Sequence, residues 1–382
     1  MMATIDPRAR ASVRGLTTYQ PGTPIEEVKR WLKLASDIKL ASNENALGPS
    51  PKALAALKQA AGDLHRYPDS TCRVLRERLS KRLKVDPASL IFGNGSDELI
   101  VLALRAFVDP GDEVVVASPT FLIYELQARA CGAQVTVVPL KDFRYDLPAM
   151  NAAVSPHTKL VFIANPDNPT GSYVTKRELA AFLRDLPPGT MVFLDEAYYE
   201  FVDAADYPQT LGLAAEQPVI VTRTFSKAYG LAGIRVGYGV AQPSLIAAMN
   251  AVREPFNVNS LAQAAAAAAL EDAAFLEKTR AMVREGRAYL TKAFDALKLR
   301  YVPSAANFIL VQLGPRAGEV ARALLERGVI VREMSAWKLA GCLRVTIGTM
   351  TENRRFVEAL KTVLGSRLKA GGWRLSGRSL QP

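Results

Sequence analysis

The sequence predicts an α/β fold: a large domain built on a mostly parallel central sheet flanked by helices, followed by a smaller α/β domain. Three observations carry this expectation. Between residues 90 and 240, short β-rich runs alternate with amphipathic helical stretches, the order that parallel strands joined by helical crossovers produce. Most of these runs are apolar at every position, as strands buried on both faces are. After Pro255 the rhythm changes to a long, Ala-rich and charged helical stretch followed by a second, shorter set of strands.

The strand candidates of the first region are 89–92, 113–117, 134–138, 159–164, 191–194, 219–222 and 236–240. Between them 96–107, 121–130, 176–186 and 244–252 read as helices, from apolar residues recurring at helical spacing. A single helix is expected from 260 to 297. Gly286 is its weak point, since glycine costs about 1 kcal/mol relative to alanine inside a helix. No Gly/Ser-rich linker separates the two regions, so this helix is expected to bridge them, with its Ala run packed closely on a neighbour. Strands at 308–313 and 343–347 bracket a helix at 319–327, and a last helix starts near Thr351.

Composition narrows the function classes. At 382 residues, 49% apolar and 22% charged, the chain has average globular composition and room for one large or two medium domains. No apolar run approaches the roughly 18 residues of a membrane span, and the basic start lacks the apolar core of a secretory signal. A soluble, cytoplasmic protein is expected. Three cysteines without CxxC spacing read as free thiols, and two histidines leave no His-rich metal site. The net charge of +11 is partly held in the two tails, read as solvated ends because no nucleic-acid-binding motif accompanies them.

The chemistry sits in five polar clusters, each just beyond an expected strand: 93–98, 118–121, 165–171, 195–198 and 222–227. In open α/β sheets that is where ligands bind, so the clusters should converge on one crevice. Gly93 and Gly95 permit a tight turn, and Ser96 and Asp97 open a helix whose unpaired N–H groups suit an anion. A plain capped strand-to-helix turn reads the same way, and neither a Walker loop nor a GxGxxG fingerprint is completed. Lys227 follows a strand among Thr224, Ser226 and Arg235. A partly buried lysine beside other cations has a depressed pKa and can form a Schiff base, while the hydroxyls and guanidinium suit a phosphate. Asp195 ends the apolar run MVFL, where a carboxylate needs a partner such as a protonated pyridine nitrogen. Tyr198 and Asn168 are placed to donate to a phenolate oxygen, and Phe121 to stack on a ring. Taken singly, Asp195 also reads as a helix cap and Tyr198 and Phe121 as core rings. Together these needs meet in a pyridoxal phosphate enzyme.

At this point the sequence resembles the fold type I pyridoxal phosphate aminotransferases (class I/II), and most closely their histidinol-phosphate aminotransferase branch. The resemblance spans about 14–363 and rests on SVRGLTTYQPG, KLASNENALGPSP, HRYPD, GNGSDELI, NPDNPTG, FLDEAYYEF, TRTFSKAYGLAGIRVGY and GCLRVTIGT in that order. It implies an amino-terminal arm, 1–45, joining a small domain at 256–382, with the large cofactor-binding domain at 46–255. By the same resemblance Lys227 is the Schiff-base lysine and proton shuttle, Asp195 pairs with the pyridinium nitrogen, and Tyr198 and Asn168 bind the phenolate oxygen. Gly95, Ser96, Asp97, Thr224, Ser226 and Arg235 hold the cofactor phosphate, and Phe121 stacks. Tyr67 reaches the cofactor phosphate of a neighbouring subunit, which implies a homodimer. Arg332 and Arg344 bind the anionic ends of the substrate, with Tyr19 and Asn45 closing over it.

The implied reaction is transamination of L-histidinol phosphate with 2-oxoglutarate. The alternatives are an aromatic amino acid aminotransferase, a threonine-phosphate decarboxylase-like enzyme and a non-catalytic regulatory protein on the same fold. Three departures from the family's pattern stand out. Phe121 replaces the common Tyr, Ala46 replaces the Pro of NENPLGPSP, and EMSAWKL puts Trp337 between the two arginines. A large aromatic there favours an aromatic side chain over an imidazole phosphate, or packs inside the small domain.

Overall fold

The computed structural model describes residues 5–16 and 37–368. Its strands in chain order are β1 (Ile38–Leu40), β2 (Leu90–Gly93), β3 (Glu113–Ser118), β4 (Gln134–Pro139), β5 (Thr158–Ala164), β6 (Met191–Asp195), β7 (Val219–Thr224), β8 (Gly237–Val240), β9 (Arg300–Val302), β10 (Phe308–Gln312), β11 (Val329–Glu333) and β12 (Cys342–Thr346). They form two sheets, a seven-stranded one ordered β2-β8-β7-β6-β5-β3-β4 and a five-stranded one ordered β1-β11-β12-β10-β9.

The large sheet is α/β, as the alternating pattern predicts, and all seven expected strands are present. Neighbouring residues along its strands point into different cores. Val115, Val161 and Val192 pack with Leu75, Leu79 and Ala265 on one face, while Val114, Leu160 and Phe193 pack with Leu99, Tyr124 and Met249 on the other. Burial on both faces is why these strands carry no polar alternation. One strand departs from the parallel expectation: β8 runs antiparallel to both β2 and β7.

Local signals fix several helices. Thr175 and Glu178 form a capping box at the start of the Lys176–Arg184 helix. Ser50 accepts from the Ala53 N–H, with Pro51 in the first turn of the Pro51–Ala60 helix.

The expected helix from 260 to 297 is two helices, Ser260–Leu270 and Ala273–Ala296. Asp272 breaks the run by capping the second one, its carboxylate accepting from the Phe275 N–H. The first helix lies against the Pro51–Ala60 and Arg73–Leu83 helices, within the large sheet's core. The second packs on the small sheet through Val283, Leu290 and Phe294. Its Gly286 is a close-approach position, because a Cβ there would lie 2.5 Å from Ile347 Cγ2 and 2.7 Å from Asn353 Nδ2.

The small sheet holds three strands beyond the two expected, β1, β9 and β11. β1 arrives from the amino-terminal side and pairs parallel with β11, placing 41–43 at the crevice between the sheets.

Candidate active site

The ends of β2, β5, β6 and β7 meet the small sheet at a cleft of about 230 Å³. The large-sheet wall begins where β2 turns into the Ser96–Phe107 helix. Gly95 adopts φ +80 and this helix has no side-chain cap, so its first N–H groups are left for another acceptor. Arg235, itself at φ +58, lies over the turn, its guanidinium 3.6 Å from the Asp97 carboxylate and 3.3 Å from Ser226 Oγ. The Thr224 hydroxyl accepts from the Ser226 N–H at 3.1 Å. Ser96, Thr224, Ser226 and Arg235 thus surround a helix N-terminus, a set of donors suited to a phosphate.

At the end of β6, alternation separates two acids. Asp195 faces the cleft, and Glu196 points into the protein to pair with the buried Arg223 at 2.8 Å, with Thr210 donating to it at 2.8 Å. This buried pair anchors the loop that carries Asp195 and Tyr198. Asp195 is 6% exposed. Its Oδ2 accepts from the Tyr124 hydroxyl at 2.6 Å and its Oδ1 from the Ala197 N–H at 3.1 Å. Burial pushes its pKa up to about 6, and the Tyr124 hydrogen bond opposes that rise.

Lys227 Nζ donates to the Ser42 carbonyl at 3.3 Å and sits 5.8 Å from the centre of the Tyr198 ring. Burial, then the charge of Arg344, lowers its pKa to about 8, so a sizeable neutral fraction exists near neutral pH. The Tyr198 hydroxyl accepts from Asn43 Nδ2 at 3.0 Å. Asn43 is held at φ +56 by Thr346 on β12 and by Asn307. A non-glycine residue held in the left-handed region by tertiary bonds is typical of functional sites.

The small-sheet wall is built by register. Arg332 on β11 and Arg344 on β12 are directly opposed in an antiparallel pair, so both side chains leave the same face. Arg344 Nη1 donates to Asn168 Oδ1 at 2.5 Å and its Nη2 to the Ala41 carbonyl at 2.8 Å. Trp337 lies under both guanidiniums, 4.8 Å from Arg332 and 6.0 Å from Arg344. It is buried with Met334, Leu310 and Cys342, so it packs in the small-sheet core and also lines the cleft.

The structure therefore gathers Lys227, Asp195, Tyr198, Ser96, Asp97, Phe121, Asn168, Thr224, Ser226, Arg235, Arg332 and Arg344 around one cleft, with Gly95 at its base. Two others lie elsewhere in this chain. Asn45 turns away, its Nδ2 donating to the Ala228 carbonyl and to Thr279, and the neighbouring Asn43 occupies the cleft in its place. Tyr67 is 84% exposed and stacked on Phe256 at 4.8 Å. Tyr19 lies outside the described residues. Asn43 and Tyr124 line the cleft although the sequence reading did not single them out. The signal for Asn43 was its place in SNEN, and for Tyr124 its spacing of three from Phe121.

A crevice at the carboxyl ends of a parallel sheet, with an anion cradle, a desolvated lysine and a buried carboxylate, defines a class. The family model for aminotransferase class I and II matches residues 35–360; the chain belongs to that family and is a pyridoxal 5′-phosphate-dependent aminotransferase. The chain is 49% identical to the histidinol-phosphate aminotransferase of Moorella thermoacetica over 95% of this chain and 94% of that one. It is 48% identical to the Symbiobacterium thermophilum enzyme of the same name over 93% and 98%. Among solved structures, the histidinol-phosphate aminotransferase of Sinorhizobium meliloti in complex with pyridoxal 5′-phosphate superposes with a TM-score of 0.85. It is 31% identical, covering 95% of this chain and 99% of that one.

Proposed function

We propose that this enzyme transfers the amino group of L-histidinol phosphate to 2-oxoglutarate, giving imidazole-acetol phosphate and L-glutamate in histidine biosynthesis. The observation that carries the reading is the likeness to histidinol-phosphate aminotransferases at nearly half identity along almost the whole chain. The opposed pair Arg332 and Arg344 supports it. Two guanidiniums on one face suit a phosphate dianion, and equally the two carboxylates of the acceptor.

The residues present fit the cofactor. A Cβ on Gly95 would lie 2.3 Å from Arg235 Nη2, and one on Gly237 would lie 2.5 Å from the Ser96 nitrogen. Glycine at both positions keeps the helix N-terminus open for a phosphate. Ser96, Thr224, Ser226 and Arg235 hold that phosphate, and Asp97 takes part through its main-chain N–H, since its carboxylate would repel it. Phe121 stacks on the ring. When bound, pyridoxal 5′-phosphate supplies the electron sink that stabilises negative charge at the substrate α-carbon.

With the cofactor bound, Lys227 would be its point of attachment, and the Lys227 amine would carry the proton of the substrate α-carbon. Asp195 keeps the ring nitrogen protonated. Asn168, whose Oδ1 accepts from Arg344, has its Nδ2 hydrogens to donate to the ring oxygen, and Tyr198, oriented by Asn43, donates beside it. Arg332 and Arg344 bind the anionic ends of the substrate, with Tyr19 and the Asn45 segment closing the site.

The exposed Tyr67 and Phe256, with Leu54, Leu64 and Val74 also exposed, support a homodimer in which Tyr67 reaches the partner's cofactor phosphate. Sedimentation showing a monomer would remove that part of the reading. Three free cysteines suit a reducing cytoplasm.

The test is steady-state transfer to 2-oxoglutarate from L-histidinol phosphate, L-phenylalanine and L-tyrosine. A kcat/KM for histidinol phosphate at least about tenfold above the aromatic donors is expected, the scale one pocket contact can discriminate. Trp337 under the guanidiniums favours the second reading, and preference for phenylalanine would make this an aromatic amino acid aminotransferase.

A further inference from the structure

Asp195 does not stand alone in the cleft. Tyr124, in the first turn of the Ile123–Cys131 helix, is fully buried, and its ring stacks on Phe162 at 4.9 Å and meets Phe121 edge-on at 5.5 Å. Both rings hold the phenol so that its hydroxyl reaches Asp195 Oδ2 at 2.6 Å. With the Ala197 N–H on Oδ1, each carboxylate oxygen has one donor, and rotation of the carboxylate is fixed.

We propose that Tyr124 is a positioning residue for the reaction: its hydroxyl holds the Asp195 carboxylate in place and ionised for the ring nitrogen of the cofactor. This rests on the reading of Asp195 given above. A neutral donor is the partner such a carboxylate needs, because an arginine or lysine in its place would neutralise the charge that a pyridinium is to meet. The surroundings make the donor necessary. Asp97 and Glu196 add negative potential at Asp195, the Tyr145 phenol and Asp167 are near enough to act on Tyr124, and Lys227 and Arg235 are cations of the same cleft. Tyr124 itself stays protonated at any working pH, since burial and then the Asp195 charge raise its pKa well above 10.

The test uses Tyr124→Phe, which keeps the ring and its stacking and removes the hydroxyl alone. Pyridoxal 5′-phosphate affinity of the cofactor-free protein is measured across pH for the natural protein, Tyr124→Phe, Asp195→Asn and Tyr145→Phe. Tyr145→Phe removes a nearby hydroxyl that contacts Thr120 and the Ala164 N–H rather than Asp195. The part of the pH dependence that Asp195→Asn abolishes is expected to fall near pH 6 in the natural protein. In Tyr124→Phe it should move up by about one unit, and in Tyr145→Phe it should stay in place. The kcat of loaded Tyr124→Phe should drop on the order of tenfold with KM little changed. Incorporating 3-fluorotyrosine at 124, a stronger donor of the same shape, should move the transition to lower pH, and it covers the case in which Tyr124→Phe fails to fold.

A transition unmoved in both Tyr124 variants, with Asp195→Asn still abolishing it, would overturn the role of Tyr124 and leave that of Asp195 standing. If Asp195→Asn kept the full pH dependence, the Asp195 reading would fall and this inference with it.

Discussion

Lys227, Asp195 and Thr224 stand at or just past the ends of strands buried on both faces, whereas Arg332 and Arg344 ride on a five-stranded sheet whose helices cover one face and whose other face looks onto the cleft. On the first wall a side chain is fixed by where a strand stops. On the second it is fixed by which residue of the neighbouring strand lies opposite, so its geometry depends on the whole sheet's register. The large-sheet wall should therefore govern cofactor and chemistry, and the small-sheet wall the choice of substrate.

The sharpest way to break that division is Lys227→Ala. Turnover should fall by about 10⁴-fold or more, since no other group on this wall can take its place as attachment point and proton carrier. Stopped assays that detect transfer within a factor of ten of the natural enzyme would remove the assignment.

Arg344→Ala tests where the walls touch. Because Arg344 also orders Asn168 across the cleft, its loss should raise KM and lower kcat together, with kcat/KM down on the order of 10² to 10³. Arg332→Ala, which removes the guanidinium stacked on Trp337, should raise KM by about tenfold and leave kcat nearly intact. Equal kinetic signatures for the two would show that the walls do not divide the labour.

The pH dependence of cofactor attachment probes the chemistry wall by itself. Attack on the cofactor needs the neutral amine, and Lys227 loses its proton near pH 8. The attachment rate of the cofactor-free protein should rise about tenfold per unit below that pH and level off above it. A plateau beginning near pH 10 would mean the amine is not desolvated.

On the recognition wall, Trp337→Phe should shrink the floor beneath the guanidiniums and change the ratio of kcat/KM between histidinol phosphate and phenylalanine by several-fold. Bound cofactor absorbance should stay that of the natural enzyme. A changed cofactor spectrum with an unchanged donor ratio would reverse the roles of the two walls.

The two walls were also unequally readable from sequence. Lys227, Asp195, Asn168 and Thr224 were legible because each follows a run of strand-forming residues, and strand ends are where such sheets bind ligands. Asn43 was not, because the strand before it is three residues long and its left-handed backbone is held by Thr346 and Asn307, far along the chain. Tyr124 carried no signal of its own because it is a core ring, and its hydroxyl acquires a role only when β6 brings Asp195 beside it. The reversed β8 had no local mark either, since a strand buried on both faces looks alike in either direction. The break at Asp272 did have one, a capping Asp three residues before Phe275, but the helical periodicity running through it concealed the cap.

Gly286 offers the smallest and cleanest test, because it lies on neither wall. In sequence it is a flaw in one long expected helix, and replacing it by alanine should add about 1 kcal/mol of helix propensity. In the structure the added methyl meets Ile347 Cγ2 at 2.5 Å and Asn353 Nδ2 at 2.7 Å. Asn353 is itself fixed by two bonds to Gly348, so it has little room to retreat. Overpacking at such a contact costs about 1 to 3 kcal/mol, enough to cancel or exceed the propensity gain. Gly286→Ala should therefore lower Tm by a few degrees. Because Ile347 follows directly on β12, the strand that carries Arg344, the residual strain should show as a modest rise in KM with kcat unchanged. A raised Tm would mean that the helix slides freely on the small sheet, and the recognition wall would then be less firmly set by register than its strand pairing implies.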